Sequence, residues 1–390
     1  MTAKLQRDSR EREREERVRK EASMDQTTKS VRIGTCLLVP SVQELAKQHF
    51  VKVPPQYICP NQDPAPIFSQ TLETHSLFVP TVPIIDLQRL LSQEPHGDLE
   101  LGRLDSACKD WGFFQLVNHG INSSLIEQVK SEVQDFFRLP MEEKKKFWQN
   151  EGDIEGFGQK FVVSKEQKLD WSDMFFMITL PLHSRKPHLL PKLPLPLRVT
   201  IESYSEELKR LTMTLVELIA KSLQIEPKLM TELFEDGRQA MRMNYYPPCP
   251  QPELVMGIPP HSDSVGLTIL LELNEIEGLQ IKKEGMWVPI KPIPGALLVN
   301  IGDMLEIVTN GIYQSVEHRA TVNSLKERLS LATFYSPGLE REISPAPSLI
   351  TPQTPALFKS IGVGNYLTKT RFNKDQLHGK LLHSLRNVTG

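Results

Sequence analysis

Apolar positions divide the chain into a first half with helical spacing and a second half of short strands. Val42, Leu45, Ala46 and His49 suggest a short helix ahead of a Pro-rich stretch, and Leu101, Leu104 and Cys108 mark a helix from Leu99 to Asp110 that ends at Gly112. Leu125, Val129, Val133 and Phe136 form an apolar face behind Ser124 and Glu127, which have the spacing of a capping box, and Leu139-Pro140 stops that helix. Tyr204, Leu208, Leu211, Leu215 and Ile219 make one stripe of a longer helix, Ile201 to Gln224, placed to brace a sheet. Val82 to Leu87 reads as an entering strand and Phe113 to Asn118 as a buried strand between these helices. From Arg238 onward short apolar runs alternate with Gly, Pro and Asn. Thr268 to Leu271, Leu279 to Ile281, Trp287 to Ile290, Ala296 to Ile301, Val316 to Val322 and Leu329 to Phe334 are the strand candidates. Short strands at regular spacing predict a sandwich or barrel.

Composition narrows the class. At 390 residues the chain can fill a large core or two domains. A formal net charge of −2 argues against a polyanion-binding surface, so nucleic acid is not an expected partner. No apolar run approaches the ~20 residues needed to span a bilayer, and the N-terminus lacks a secretory apolar core. The expectation is a cytoplasmic protein, monomeric and not membrane-bound. Cys36, Cys59, Cys108 and Cys249 have no paired spacing, which predicts reduced structural thiols. Many prolines fall in loops around Lys52 to Pro66, Pro181 to Pro196 and Ser336 to Pro355.

The first residues alternate Arg and Glu, as in Arg10-Glu11-Arg12-Glu13-Arg14-Glu15, with almost nothing apolar to bury, and are expected to be disordered. The organisation that follows is a charged extension over 1–40, an N-terminal region over 41–200, a catalytic region with its bracing helix over 201–340, and a helical tail over 341–390 that is basic at Lys369, Arg371, Lys374 and Lys380.

Candidate chemistry concentrates between Met243 and Phe334. His261 and Asp263 lie two apart in Pro260-His261-Ser262-Asp263, so an extended backbone aims both at one point, and His318 follows 57 positions after His261. Two imidazoles and one carboxylate are the facial triad of non-haem Fe(II) oxygenases, which leaves coordination positions free. Zinc could occupy the same donors. Ser262 should face away from the metal. Arg328 and Ser330 form a second i, i+2 pair suited to anchoring a carboxylate, with Asn244 and Tyr246 as further polar contacts. Arg328 could instead pair with Glu327 or Glu306, Tyr246 could be a packing element of Tyr245-Tyr246-Pro247-Pro248, and His119 reads as structural. Phe334 would lie near the pocket mouth, as a stacking surface for substrate or as core packing, and Phe157, Phe161 and Phe175 are weaker lining candidates.

His261-x-Asp263, His318 and Arg328-x-Ser330, preceded by Asn244-Tyr245-Tyr246-Pro247, resemble the plant 2-oxoglutarate/Fe(II)-dependent dioxygenases. Gly278-Leu279-Gln280, Asn300-Ile301-Gly302-Asp303, Pro83-Ile84-Ile85-Asp86-Leu87 and Trp111-Gly112-Phe113-Phe114 extend the likeness over roughly Val51 to Leu382. It is most similar to the branch of senescence-related-gene-like proteins, opiate O-demethylases and norcoclaurine-synthase-like proteins. The resemblance implies an α+β protein with a jelly-roll, or double-stranded β-helix, core braced by helices and a mixed α/β N-terminal region. It implies His261, Asp263 and His318 on Fe(II), Arg328, Ser330, Tyr246 and Asn244 on 2-oxoglutarate, O2 as second co-substrate, ascorbate as reductant, and a tail that closes over the pocket. The implied reaction is hydroxylation, O-demethylation or desaturation of a small plant specialised metabolite with release of succinate and CO2. A non-oxidative condensing enzyme on the same scaffold, and a metal- or ligand-binding protein without turnover, are the alternatives.

Overall fold

The computed structural model describes residues 39–48, 51–59, 80–93, 95–150, 152–159, 162, 167–372 and 380–386. Residues 1–38 of the charged extension, with Cys36, and also His49, Phe161 and Lys374 lie outside the described residues. In chain order the strands of the two main sheets are β1 Ile84–Asp86, β2 Phe113–Val117, β3 Gly156–Gly158, β4 Asp173–Leu180, β5 Arg238–Tyr246, β6 Ile258–His261, β7 Leu267–Glu272, β8 Leu279–Lys283, β9 Met286–Pro289, β10 Leu297–Ile301, β11 His318–Ala320 and β12 Arg328–Ser336. An eight-stranded sheet has the order β1-β2-β10-β7-β12-β5-β4-β3, and a four-stranded sheet the order β6-β11-β8-β9. Apart from the parallel β1–β2 pair the register is antiparallel.

Period-two alternation explains how the large sheet works. Leu267, Ile269 and Leu271 of β7, Leu297, Val299 and Ile301 of β10, and Leu329 and Leu331 of β12 point to one face and pack against Tyr204, Leu208, Leu215 and Ile219 of the helix Leu195–Ser222. Each fully buried side chain of this kind contributes about 1.5–3 kcal/mol, so this face holds the sheet to its helices. The opposite face carries Leu270, Leu298 and Ala332, which meet Leu279, Ile281 and Val288 of the small sheet. The two sheets thus close as a jelly roll, and the polar residues on the inward face lie between them.

The long helix begins at Leu195 rather than Ile201, because Pro196 falls in its first turn, where a missing N–H costs nothing. The capping-box reading of Ser124 and Glu127 is not what forms. The helix runs Ser123–Arg138, its cap is Asn122, whose side chain accepts from the Ser124 N–H at 2.8 Å, and Glu127 pairs with Lys130. Its buried face is Ile126, Val129, Val133, Phe136 and Phe137, with Leu125 only partly buried. β4 escaped prediction because it is buried on both sides and shows no alternation. β6 includes Pro259 and Pro260, tolerated because it is an edge strand of the small sheet.

The tail contains the helices Val363–Phe372 and Lys380–Leu385. Among the described residues none of it lines the cleft between the sheets. Instead Tyr366 donates to Asp303 at 2.8 Å, behind the β6–β7 loop. No helix among the described residues is long and apolar enough to cross a membrane.

Candidate metal and co-substrate site

The antiparallel register of β11 on β6 places His318 directly opposite His261, and Asp263 follows β6 in the loop to β7. One donor atom from each of the three lies within 4.8 Å of the others. Asp263 Oδ1 is 3.6 Å from His261 Nε2 and 3.7 Å from His318 Nε2. The remaining atoms are fixed. His261 Nδ1 donates to the Pro259 carbonyl at 2.9 Å and His318 Nδ1 to the Val316 carbonyl at 3.1 Å, which turns both Nε2 lone pairs inward. Asp263 Oδ2 accepts from Thr268 Oγ1 at 2.7 Å and Asn300 Nδ2 at 2.9 Å, leaving Oδ1 for a ligand. Burial alone would raise the Asp263 carboxyl, but the facing imidazoles of His318 and His261 and these two donors hold it below the ordinary carboxylate range. Phe113 packs edge-on to His318 at 5.3 Å between ring centres. A donor set of two imidazoles and one carboxylate, braced on one side and open on the other, fits Fe(II) with positions left for ligands.

The loop is held from behind. Asp303 donates its N–H to the Asp263 carbonyl at 2.8 Å, and a Cβ on Gly302 would meet the Val265 carbonyl oxygen at 2.2 Å. Ser262 faces Asp303, away from the donors, and burial raises the Asp303 carboxyl to about 6.

A partly open cleft enclosing about 520 Å³, open solvent included, runs from the three donors along the inward face of the large sheet. Arg242, Asn244 and Tyr246 of β5, Thr268 and Leu270 of β7, Asn300 of β10, and Arg328, Ser330, Ala332 and Phe334 of β12 line it. Arg328 is 2% exposed. Its Nη2 donates to Glu272 Oε1 at 2.5 Å, it also donates to the Tyr246 hydroxyl, and its Nε has no hydrogen-bond partner. Neither Glu327 nor Glu306 is its partner: Glu327 accepts from Tyr245 at 2.5 Å, and Glu306 takes Arg386 at 3.2 Å. A Cβ on Gly278 would lie 2.7 Å from Arg328 Cδ, so only glycine leaves the guanidinium stem its room. Asn244 Nδ2 reaches Ser330 Oγ at 3.3 Å, and Asn244 Oδ1 has no partner.

His261, Asp263, His318, Arg328, Ser330, Asn244, Tyr246 and Phe334 therefore all line one cleft. Tyr246 is both packing element and polar contact, its ring buried against Trp171 and Val255 and its hydroxyl at Arg328. Phe334 likewise lines the cleft and packs beside Phe176 at 6.4 Å. Phe157 and Phe175 are core residues stacked around Phe136, outside the cleft. His119 is structural, its Nε2 at 3.0 Å from the Gly295 carbonyl. Cys59, Cys108 and Cys249 are free thiols. Four residues went unread as site components: Thr268 and Asn300 on Asp263, Glu272 on Arg328, and Arg242, whose Nε and Nη2 are unpartnered in the cleft wall. Arg242, Asn244 and Tyr246 share one strand face, and that spacing was the available signal.

Residues 237–337 match the model of the 2OG-Fe(II) oxygenase superfamily, and residues 82–193 match that of the non-haem dioxygenase N-terminal region named for morphine synthesis. Thebaine 6-O-demethylase of Papaver somniferum is 58% identical over 337 residues, covering 85% of this chain and 92% of that protein. Oxoglutarate-dependent flavonoid 7-O-demethylase 1 of Ocimum basilicum is 51% identical over 356 residues, covering 91% and 93%. Among solved structures, JOX2 in complex with 2OG, Fe and JA superposes with a TM-score of 0.79 at 35% identity, over 90% of this chain and 98% of that one. The chain belongs to the 2OG-Fe(II) oxygenases, and it is a dioxygenase that uses Fe(II) and 2-oxoglutarate to oxidise a small molecule.

Proposed function

We propose that the enzyme removes the methyl group of a methyl ether on a polycyclic plant metabolite. The observation that carries this reading is that three of its relatives act as O-demethylases: those of thebaine and codeine at 58% identity and that of a flavonoid at 51%. The overall change is R–OCH3 + 2-oxoglutarate + O2 → R–OH + HCHO + succinate + CO2. Hydroxylation of the methyl carbon gives a hemiacetal, which collapses to the free hydroxyl and formaldehyde.

In this reading His261, Asp263 and His318 hold Fe(II), which when bound supplies the activation of dioxygen. Arg328 and Ser330 hold the distal carboxylate of 2-oxoglutarate, aided by Tyr246 and Asn244; the unpartnered Nε–H of Arg328 supports this, since it is a buried donor to which a carboxylate oxygen is the complementary acceptor. Phe334 and Phe176 give the substrate a flat aromatic wall, and Phe113, Leu270 and Leu298 keep water from the reacting carbon. The enzyme acts as a cytoplasmic monomer.

The test is anaerobic loading with Fe(II), ascorbate and 2-oxoglutarate, then O2, with methoxylated alkaloids and flavonoids as the panel. Equimolar formaldehyde and succinate from one compound supports demethylation. Succinate with a hydroxylated or desaturated product and no formaldehyde overturns it, and product formed without 2-oxoglutarate would point to non-oxidative condensation.

A further inference from the structure

We propose that Glu272 makes co-substrate binding proton-linked: it shares the Arg328 guanidinium with the distal carboxylate of 2-oxoglutarate and takes up a proton as that carboxylate arrives. The inference rests on the anchoring role proposed for Arg328 and adds a titrating partner to it.

β7 pairs with β12 so that Glu272 lies opposite Ser330, on the same inward face as Thr268 and Leu270. The side chain reaches Arg328 through Oε1 alone, while Oε2 is buried and without a hydrogen-bond partner. An ionised carboxylate has two accepting oxygens that call for donors; a protonated one calls for fewer donors, carries no charge and is the cheaper species to bury. The surrounding charges do not offer a second cation. Tyr246 on β5 is a neutral phenol whose hydroxyl accepts from Arg328. Arg242, two strand positions beyond Asn244, lines the cleft on the metal side of Arg328. On the outer side Lys130 and Glu275 border the neighbouring cavity with Glu272, and Lys130 is held by Glu127 at 2.8 Å. Among the described residues Arg328 is therefore the one guanidinium bonded to Glu272, and Arg328 is also the proposed anchor.

A second carboxylate on that guanidinium places two like charges against one cation. Two carboxylates sharing a site cannot both ionise freely, so one carboxyl is driven strongly upward. Glu272 is the group that gives way, because burial already holds it above the ordinary glutamate range despite the attraction of Arg328. Oε2 is where the proton goes, since Oε1 is occupied. The balance is Glu272–COO⁻ + H⁺ + 2-oxoglutarate²⁻ → Glu272–COOH with 2-oxoglutarate²⁻ bound. Affinity for 2-oxoglutarate then falls as pH rises, by up to about tenfold per pH unit, between the carboxyl's pKa in the free and the bound protein.

The experiment is calorimetric titration of the full-length Mn(II)-loaded protein with 2-oxoglutarate, across neutral to alkaline pH and in two buffers of different ionisation enthalpy. Expected is uptake of about one proton per 2-oxoglutarate in wild type and none in Glu272→Gln, with Glu272→Gln binding about tenfold tighter than wild type at the alkaline end. If Glu272→Gln fails to fold, Glu272→Met carries the same expectation. No proton uptake in wild type overturns the proposal, and so does uptake that persists in the variant, which would assign the proton to another group. Failure of the anchor reading looks different: 2-oxoglutarate would bind Arg328→Met as tightly as wild type.

Discussion

Replacing Asn300 with alanine removes one of the two donors that orient the Asp263 carboxylate. The amide donates to Asp263 Oδ2 at 2.9 Å, and its other contact, to the Ile301 carbonyl at 3.5 Å, is at the limit of a hydrogen bond. Thr268 Oγ1 holds the same oxygen at 2.7 Å, so the carboxylate keeps one partner and loses the second that braces it. A hydrogen bond to a charged acceptor is worth about 1.5–3 kcal/mol. At 1.4 kcal/mol per decade this is about one to two decades in metal Kd, in line with the ~10–100-fold seen when such outer partners are removed. The assay is anaerobic competition of the protein with a chromogenic chelator for Fe(II), with circular dichroism to verify folding. A folded Asn300→Ala whose metal Kd stays within about twofold of wild type would refute the reasoning. The double variant with Thr268→Val should lose more than either single change, because both donors act on one oxygen.

Three further changes probe other contacts. Gly302→Ala puts a Cβ 2.2 Å from the Val265 carbonyl oxygen and 3.0 Å from that of Asp263, both backbone atoms, so the donor loop must move and metal Kd should rise by at least about tenfold; unaltered metal binding would show that the loop yields elsewhere. Arg328→Ala should raise the apparent 2-oxoglutarate requirement by about 10- to 150-fold, from a lost charge-assisted bond of about 1.5–3 kcal/mol, and lower the melting temperature by leaving Glu272 buried and unpaired. Steady-state kinetics and melting curves check both, adding Glu272→Gln should recover part of the melting temperature, and an unchanged requirement would rule out the anchor. Tyr366→Phe removes the hydroxyl donor to Asp303. With its carboxyl raised to about 6, Asp303 is protonated at acid pH and charged at alkaline pH; this raised group favours the fold below its unfolded pKa, and the contribution is lost as pH rises through about 6. The hydroxyl offsets that loss, so the destabilisation by Tyr366→Phe should be larger at pH ~8 than at pH ~5; equal shifts in melting temperature at both would count against it.

Arg328-x-Ser330 could be read from the chain because a strand carries its own geometry: residues two apart share a face. His261-x-Asp263 converges although the strand ends at His261, because the short loop to β7 turns Asp263 back to the two imidazoles. Glu272 and Asn300 could not be read in that way. Each acts on a residue of another segment, and which strands lie side by side depends on the order β10-β7-β12-β5, a product of the whole chain. β4 was missed for a related reason: Met174, Phe175, Met177 and Ile178 are all buried, so the alternation that marks a half-exposed strand is absent. The cap of the helix Ser123–Arg138 shows the limit of local signals, since Asn122, Ser123 and Ser124 are all capping types and only the backbone selects Asn122.

His261 and His318 sit on the small sheet, whereas Arg328 and Ser330 sit on the large one. A ligand held at both ends is therefore measured by the gap between two packed layers, not by any single loop. Leu270, Leu279, Leu298 and Ala332 pack between the two layers and set that gap by their bulk. With the co-substrate held as proposed, discrimination between a five-carbon oxo-dicarboxylate and its six-carbon homologue would be a property of interlayer packing, and enlarging or trimming these apolar spacers should shift the preferred chain length.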